Sequence, residues 1–272
     1  MPLPIFDPVD DPGPDFASLL RRSGLPSGVA GSQGALPVPH ATTVVALRFR
    51  DGVVMAGDRR ATEGYSIAHR GMEKVFPADR WSAVAIAGAA GPAVEMVRLF
   101  QVQLEHYEKV EGVSLSLEGK ANQLAQMVRE HLPMAMQGLA VVPLFAGYDL
   151  RRKTGRIYTY DVTGGHYEEA DFQATGSGGR DARTTVKLGY REGMSRDEAV
   201  DLAIESLYEA ADADAGTGGP DLVRGIYPVV AVVDSEGYVE APTEEVAERF
   251  AALVRRKQAE RSNGAAHGGD PG

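Results

Sequence analysis

Cysteine is absent from the 272-residue chain, which excludes disulfides, thiolate metal sites and a cysteine nucleophile and fits a reducing compartment. No apolar stretch approaches the roughly 20 residues that a membrane-spanning helix needs. The first thirty residues lack the basic-then-apolar pattern of a secretory signal, so the expected location is the cytoplasm, with no membrane partner. Basic residues never gather beyond pairs such as Arg151-Arg152, and a formal net charge of −10 argues against a nucleic-acid binder, because phosphate contacts need clustered Lys and Arg. The glycine-rich Gly176-Ser177-Gly178-Gly179 lacks the G-x-x-x-x-G-K-S/T spacing of a phosphate cradle, so nucleotide binding is not expected. No cofactor and no metal are expected.

What is present is ordinary for a folded domain. With 43 % hydrophobic and 24 % charged residues, the chain can bury the core of one large domain or two small ones. Residues 1–41 differ: they are rich in Pro, Gly and Asp, as in Asp7-Pro8-Val9-Asp10-Asp11-Pro12-Gly13-Pro14-Asp15, interrupted by one short amphipathic candidate at Phe16–Arg22. Such a composition buries too little apolar surface to offset its ordering entropy and is expected to be mostly disordered. Composition alone reads it equally as a removable leader or an inert tail. At the other end, Ser262–Gly272 is dominated by Gly, Ala and Asn. The expected division is therefore a leader over 1–41, a body over 42–257 and a disordered tail over 258–272.

The body opens on a hairpin, because two apolar β-branched runs, Thr42–Phe49 and Val53–Gly57, flank Asp51-Gly52. Lys74–Pro77 and Ser82–Ala87 follow as short strands. Val94, Val97, Leu104 and Tyr107 recur at helical spacing behind Pro92, predicting a helix over Pro92–Val110. Leu124, Met127, Val128, Leu132 and Met136 stripe a second helix over Leu117–Gln137, which Pro133 should kink. Strands resume at Ala140–Tyr148, Gly155–Val162 and near Tyr167–Thr175. Helices are expected at Asp181–Tyr190 and at Arg196–Asp212, the latter opened by a Ser195/Glu198 capping box. Ile226–Val233 reads as a strand, Ser235-Glu236-Gly237 as a turn and Thr243–Arg256 as the last helix. Runs of strands followed by runs of helices predict an α+β fold: two antiparallel sheets stacked face to face, each covered by a helix pair.

A body that starts abruptly on Thr42, behind a segment that could be removed, directs attention to the Thr42 nitrogen as much as to its hydroxyl. A threonine hydroxyl is a poor nucleophile near neutral pH and needs an adjacent base. A free α-amine, with a reference pKa of about 7.7–8.0, is well matched to that task and lies near its own Oγ, directly or through one water. In the intact chain the same nitrogen is an amide and cannot serve. Cleavage between Ala41 and Thr42 would then switch the site on.

Thr42-Thr43-Val44-Val45-Ala46, followed in order by Gly57-Asp58-Arg59-Arg60-Ala61-Thr62, Lys74, Ile86-Ala87-Gly88 and Asp214-Ala215-Gly216-Thr217-Gly218-Gly219, resembles the proteasome β subunits, most of all those of the bacterial, actinobacterial type. The resemblance extends over roughly Pro39–Arg256. It implies the four-layer αββα sandwich of N-terminal-nucleophile hydrolases, a propeptide removed by self-cleavage, and Thr42 as the first residue of the mature enzyme. It further implies that Lys74 sits beside Thr42 with Asp58 holding it in place, and that Gly88 offers its backbone N–H to an oxyanion. Ser177, Asp214 and Thr217 would complete the polar shell around the Thr42 amine. Ala61, Thr62, Met72, Ile86 and Ala90 would line the substrate pocket; an uncharged wall of Ala61, Met72, Ile86 and Ala90 predicts cleavage after apolar residues. The implied partners are further β subunits in seven-membered rings, capping rings of α subunits, a ring-shaped ATPase that feeds in unfolded protein substrates, and a small ubiquitin-like tag.

Two positions stand out against the family pattern. Thr217 stands where the pattern has serine or threonine, so the hydroxyl is preserved. Ala41 stands where glycine commonly precedes the nucleophile; glycine reaches backbone conformations that alanine avoids, so slower self-cleavage is expected. Two other readings remain: a silent scaffold subunit in a mixed ring, favoured by Ala41 and opposed by the joint presence of Thr42, Asp58 and Lys74, and another N-terminal-nucleophile amidohydrolase acting on a small amide.

Overall fold

The apolar strands of this chain alternate between two destinations, and that alternation builds the fold. In the computed structural model the described residues are 42–63 and 66–267; the leader, its Phe16–Arg22 segment and Ala41 lie outside them. One five-stranded antiparallel sheet contains β1 (Thr43–Phe49), β2 (Gly52–Gly57), β10 (Phe172–Gly176), β11 (Val229–Asp234) and β12 (Gly237–Glu240), in the order β10-β1-β2-β11-β12. The second contains β5 (Val75–Asp79), β6 (Ser82–Gly88), β7 (Val141–Asp149), β8 (Thr154–Tyr160) and β9 (His166–Glu169), in sequence order. A separate ribbon pairs β3 (Ala61–Glu63) with β4 (Ser66–His69).

Successive side chains on a strand point to opposite faces. Val44, Ala46, Val53, Met55, Ala231 and Val233 therefore meet Ala83, Ala85, Leu144, Ala146 and Ile157 in a core between the sheets. The intervening residues face helices. Val45, Leu47, Val54, Ala56, Val230 and Val232 pack against α4 (Gly179–Gly189), α5 (Arg196–Ala213) and α6 (Thr243–His267). On the far side Val84, Ile86, Phe145 and Tyr158 pack against α1 (Ala90–Glu111) and α2 (Leu117–Glu130). Three cores between four layers make this the expected α+β, αββα sandwich. They also explain why the central strands read as unbroken apolar runs: both faces are covered.

Several boundaries differ from expectation for physical reasons. The first hairpin turns on Arg50-Asp51, with Phe49 paired to Gly52. Gly52 does not serve a left-handed turn; a Cβ there would meet the Val233 carbonyl at 2.2 Å, so glycine is needed for the close approach of β11. Pro133 breaks the second helix rather than kinking it: α2 ends at Glu130 and a short α3 (Leu132–Ala135) restarts with proline in its first turn, where no N–H is needed. The stretch near Tyr167–Thr175 is two strands in different sheets, β9 and β10. Arg48 clamps the crossing, its N–H bonded to the Asp171 carbonyl at 2.8 Å and its guanidinium to that of Ala170 at 2.7 Å. β3, β4 and β12 are short and largely exposed, so no apolar alternation announces them. The Ser195/Glu198 capping box forms as expected. The last helix continues beyond Arg256 to His267, tied to α5 where Lys257 bonds Glu205 and Glu209 at 2.7 Å each. Among the described residues no helix is long and apolar enough to cross a membrane.

Candidate active site

β1 carries the site because its pleat divides the threonine pair. Thr43 shares the parity of Val45 and Leu47, which face the helices, whereas Thr42 precedes the strand on the parity of Val44 and Ala46. Thr42 is 5 % exposed. In the intact chain its nitrogen is an amide, and it donates to Ser177 Oγ at 3.3 Å while the Thr42 carbonyl accepts from the Ser177 amide at 2.7 Å. Ser177 follows β10, the strand hydrogen-bonded to β1, so sheet pairing itself brings the two together.

Asp214 caps the end of α5 and holds Ser177 in place. Its Oδ2 accepts from Ser177 Oγ at 2.5 Å and from Thr217 Oγ1 at 2.6 Å, and its Oδ1 accepts from the Gly216 amide at 3.2 Å. Burial alone would raise the Asp214 pKa; the hydrogen bonds from the Ser177 and Thr217 hydroxyls and from the Gly216 and Thr217 amides outweigh it and hold the carboxyl below its ordinary value.

Asp58, at the end of β2, organises the other half. Its Oδ1 accepts from Lys74 Nζ at 2.7 Å and from the Thr43 amide at 2.8 Å; its Oδ2 accepts from the amides of Arg60 at 2.9 Å and Gly218 at 2.8 Å. Lys74, at the entry to β5, also donates to the Arg60 carbonyl at 2.5 Å. A buried ion pair persists only when its remaining donors and acceptors are met, and here both oxygens of the carboxylate are used. Burial lowers the pKa of Lys74, and the Asp58 charge and hydrogen bond oppose that shift without cancelling it.

The sequence-expected residues thus fall into two bonded sets, Thr42–Ser177–Asp214–Thr217 and Lys74–Asp58. Gly88 ends β6 with a φ of +115°, open to glycine and strained for other residues, and a Cβ there would meet the Ala140 carbonyl at 2.1 Å. Of the wall residues, Ala61 and Thr62 are half-buried on β3 and Ala90 is the exposed first residue of α1. Ile86 is buried in the core beneath α1 and α2, and the half-buried Met72 packs against that core. Sequence reasoning left Thr43 without a role. Its amide bonds Asp58, and its hydroxyl lies 2.6 Å from that of Thr217 and 3.0 Å from the Gly178 amide. The doubled threonine was its only signal, since Thr217 is 174 positions away.

Residues 38–223 match the family described as proteasome subunit. The chain belongs to the proteasome subunit family. It is 64 % identical over 265 residues to a proteasome subunit beta of Acidimicrobium ferrooxidans, covering 95 % of this chain and 97 % of that relative. It is 57 % identical over 225 residues to that of Streptomyces griseus, covering 83 % and 80 %, and 55 % identical over 244 residues to that of Acidothermus cellulolyticus, covering 88 % and 84 %. The resemblance read from the motifs is therefore a family relationship, and the αββα layering is the family's fold.

Proposed function

We propose that this chain is a catalytic β subunit of a proteasome core particle, a threonine endopeptidase that hydrolyses unfolded proteins in the cytoplasm after releasing its own leader. The observation that carries this reading is the placement of the Thr42 nitrogen: it is bonded to Ser177, which is anchored on Asp214, while the next residue along the chain is bonded to the buried Asp58–Lys74 pair.

Self-cleavage begins with attack of Thr42 Oγ on the Ala41 carbonyl. The Oγ proton passes to the Thr42 nitrogen as the bond between the Ala41 carbonyl carbon and that nitrogen breaks, giving an ester on Oγ and a free Thr42 amine, and water then hydrolyses the ester to release the leader with Ala41 as its C-terminal carboxylate. In the mature subunit the amine accepts the Oγ proton as Oγ attacks a substrate carbonyl. The tetrahedral oxyanion is met by the Gly88 N–H, and the Lys74 charge favours the unprotonated amine and the developing alkoxide. The amine then returns the proton to the leaving nitrogen, and water hydrolyses the acyl ester to regenerate Thr42. Ala61, Thr62, Met72, Ile86 and Ala90 form the uncharged wall that selects apolar residues before the cleaved bond.

An enclosed site explains how so unselective a reaction is tolerated. The subunit would stack in two seven-membered β rings between rings of α subunits, fed by a ring-shaped ATPase with substrates marked by a ubiquitin-like tag. Mass spectrometry of the assembled particle should find a mature start at Thr42, and a peptide epoxyketone should label that residue and fail to label Thr42→Ala. A permanently retained leader would instead support the silent scaffold role for which Ala41 speaks.

A further inference from the structure

We infer that Thr43, through its side-chain hydroxyl, is a positioning residue for the nucleophile: by donating to Thr217 it braces the far end of a buried hydrogen-bonded chain that runs through Thr217 and Asp214 to Ser177 and the Thr42 nitrogen. The inference rests on the function proposed above and adds a residue to it.

The directions follow from proton count. Asp214 Oδ2 is a carboxylate acceptor, so the hydroxyls at 2.5 Å and 2.6 Å, Ser177 and Thr217, both donate to it. Thr217 has then spent its single proton. The 2.6 Å contact between Thr217 Oγ1 and Thr43 Oγ1 must be a donation by Thr43. Thr43 Oγ1 in turn accepts from the Gly178 amide at 3.0 Å. Ser177 Oγ lies 3.3 Å from the Thr42 carbonyl but 2.5 Å from the charged Asp214 Oδ2, so its proton goes to Asp214 and it presents a lone pair to the Thr42 nitrogen at 3.3 Å. Every hydroxyl in the chain therefore points toward the Asp214 carboxylate, with the Gly178 amide at one end and the Thr42 nitrogen at the other.

The site is tightly enclosed. Thr43 and Thr217 are both fully buried. A Cβ on Gly178 would meet Thr217 Oγ1 at 2.5 Å and Thr43 Oγ1 at 2.6 Å, so the loop can close over the pair only as glycine. The Thr43 amide also bonds Asp58 at 2.8 Å. Thr43 is thus bonded into both acidic halves of the site, by its amide to Asp58 and by its hydroxyl to the Asp214 arm.

Thr43→Val keeps the shape and removes the hydroxyl, leaving the Gly178 amide and the Thr217 lone pair without partners. In the assembled particle, kcat for a fluorogenic peptide with an apolar residue before the cleaved bond should fall at least about tenfold, within the roughly hundredfold that an ångström of misplacement costs, with KM changed by less than about twofold. Thr43→Ser should recover most of that loss, and in a Thr217→Val background Thr43→Val should add little, since the Thr43 hydroxyl reaches Asp214 only through Thr217. Should Thr43→Val not assemble, Thr217→Val carries the same kcat-against-KM expectation. An unchanged kcat, a loss confined to KM, or a Thr43→Ser variant as poor as Thr43→Val would overturn the role and leave the proposed function standing. A wild-type particle inert to both peptide and epoxyketone would overturn the proposed function itself.

Discussion

Lys74 Nζ lies 2.7 Å from Asp58 Oδ1, and both side chains are sealed from solvent, at 1 % and 0 % exposure. The partners are not equivalent. Asp58 also accepts three backbone amides, from Thr43, Arg60 and Gly218. Asp58→Ala takes the counter-charge from the ammonium and the acceptor from those three amides together, whereas Lys74→Met leaves the carboxylate still triply bonded. Asp58→Ala should cost about 3–5 kcal/mol, the range for halving a buried pair, and Lys74→Met less, as read by urea denaturation. The reverse order would mean that the ammonium, not the carboxylate, organises this centre.

The carboxyl of Asp214 has its pKa held below the ordinary value despite partial burial. A depressed carboxylate pKa contributes stability that is complete above the unfolded-state value, near 3.8, and is lost as pH falls through the folded-state value. The melting-temperature gap between wild type and Asp214→Asn should therefore be widest near neutrality and close at strongly acidic pH. A gap that widens on acidification would contradict the sign.

Gly176 and Gly193 both have positive φ, +99° and +74°, but only at Gly176 would a Cβ collide, 1.9 Å from the Thr42 carbonyl oxygen. Alanine at either position carries a backbone penalty of roughly 1–2 kcal/mol. Gly176→Ala must also push the Thr42 carbonyl off the Ser177 amide. Peptidase activity should collapse in Gly176→Ala and persist in Gly193→Ala, and equal activities in the two would show that this approach does not position Thr42.

Leader removal should respond to the residue before the cleaved bond. Ala41→Gly should shorten the half-time of processing several-fold, because glycine enters strained backbone conformations at less cost. Mass spectrometry at intervals after particle assembly measures it. A half-time that is unchanged or longer would remove Ala41 as the brake.

The sequence by itself determined the class of fold and the family. Apolar runs on β1, β2, β6 and β11 required sheets covered on both faces, the Ser195/Glu198 pair fixed the start of α5, and the ordered motifs around Thr42, Asp58, Lys74 and Asp214 identified the family. These signals are local: each is written within a few residues as a periodicity, a cap or a short motif.

Tertiary structure alone decided what depends on residues far apart in the chain. That β9 and β10 enter different sheets is settled by Arg48 gripping the backbone at Ala170 and Asp171, and no propensity within 167–175 encodes it. The role of Thr43 rests on a hydroxyl 174 positions away, brought within 2.6 Å because the β1–β10 pairing and the end of α5 converge on the same point. The pleat then sends two adjacent, chemically identical threonines to opposite sides of one sheet, Thr42 on the parity of the core between the sheets and Thr43 on that of the helix-facing core, where its hydroxyl meets Thr217.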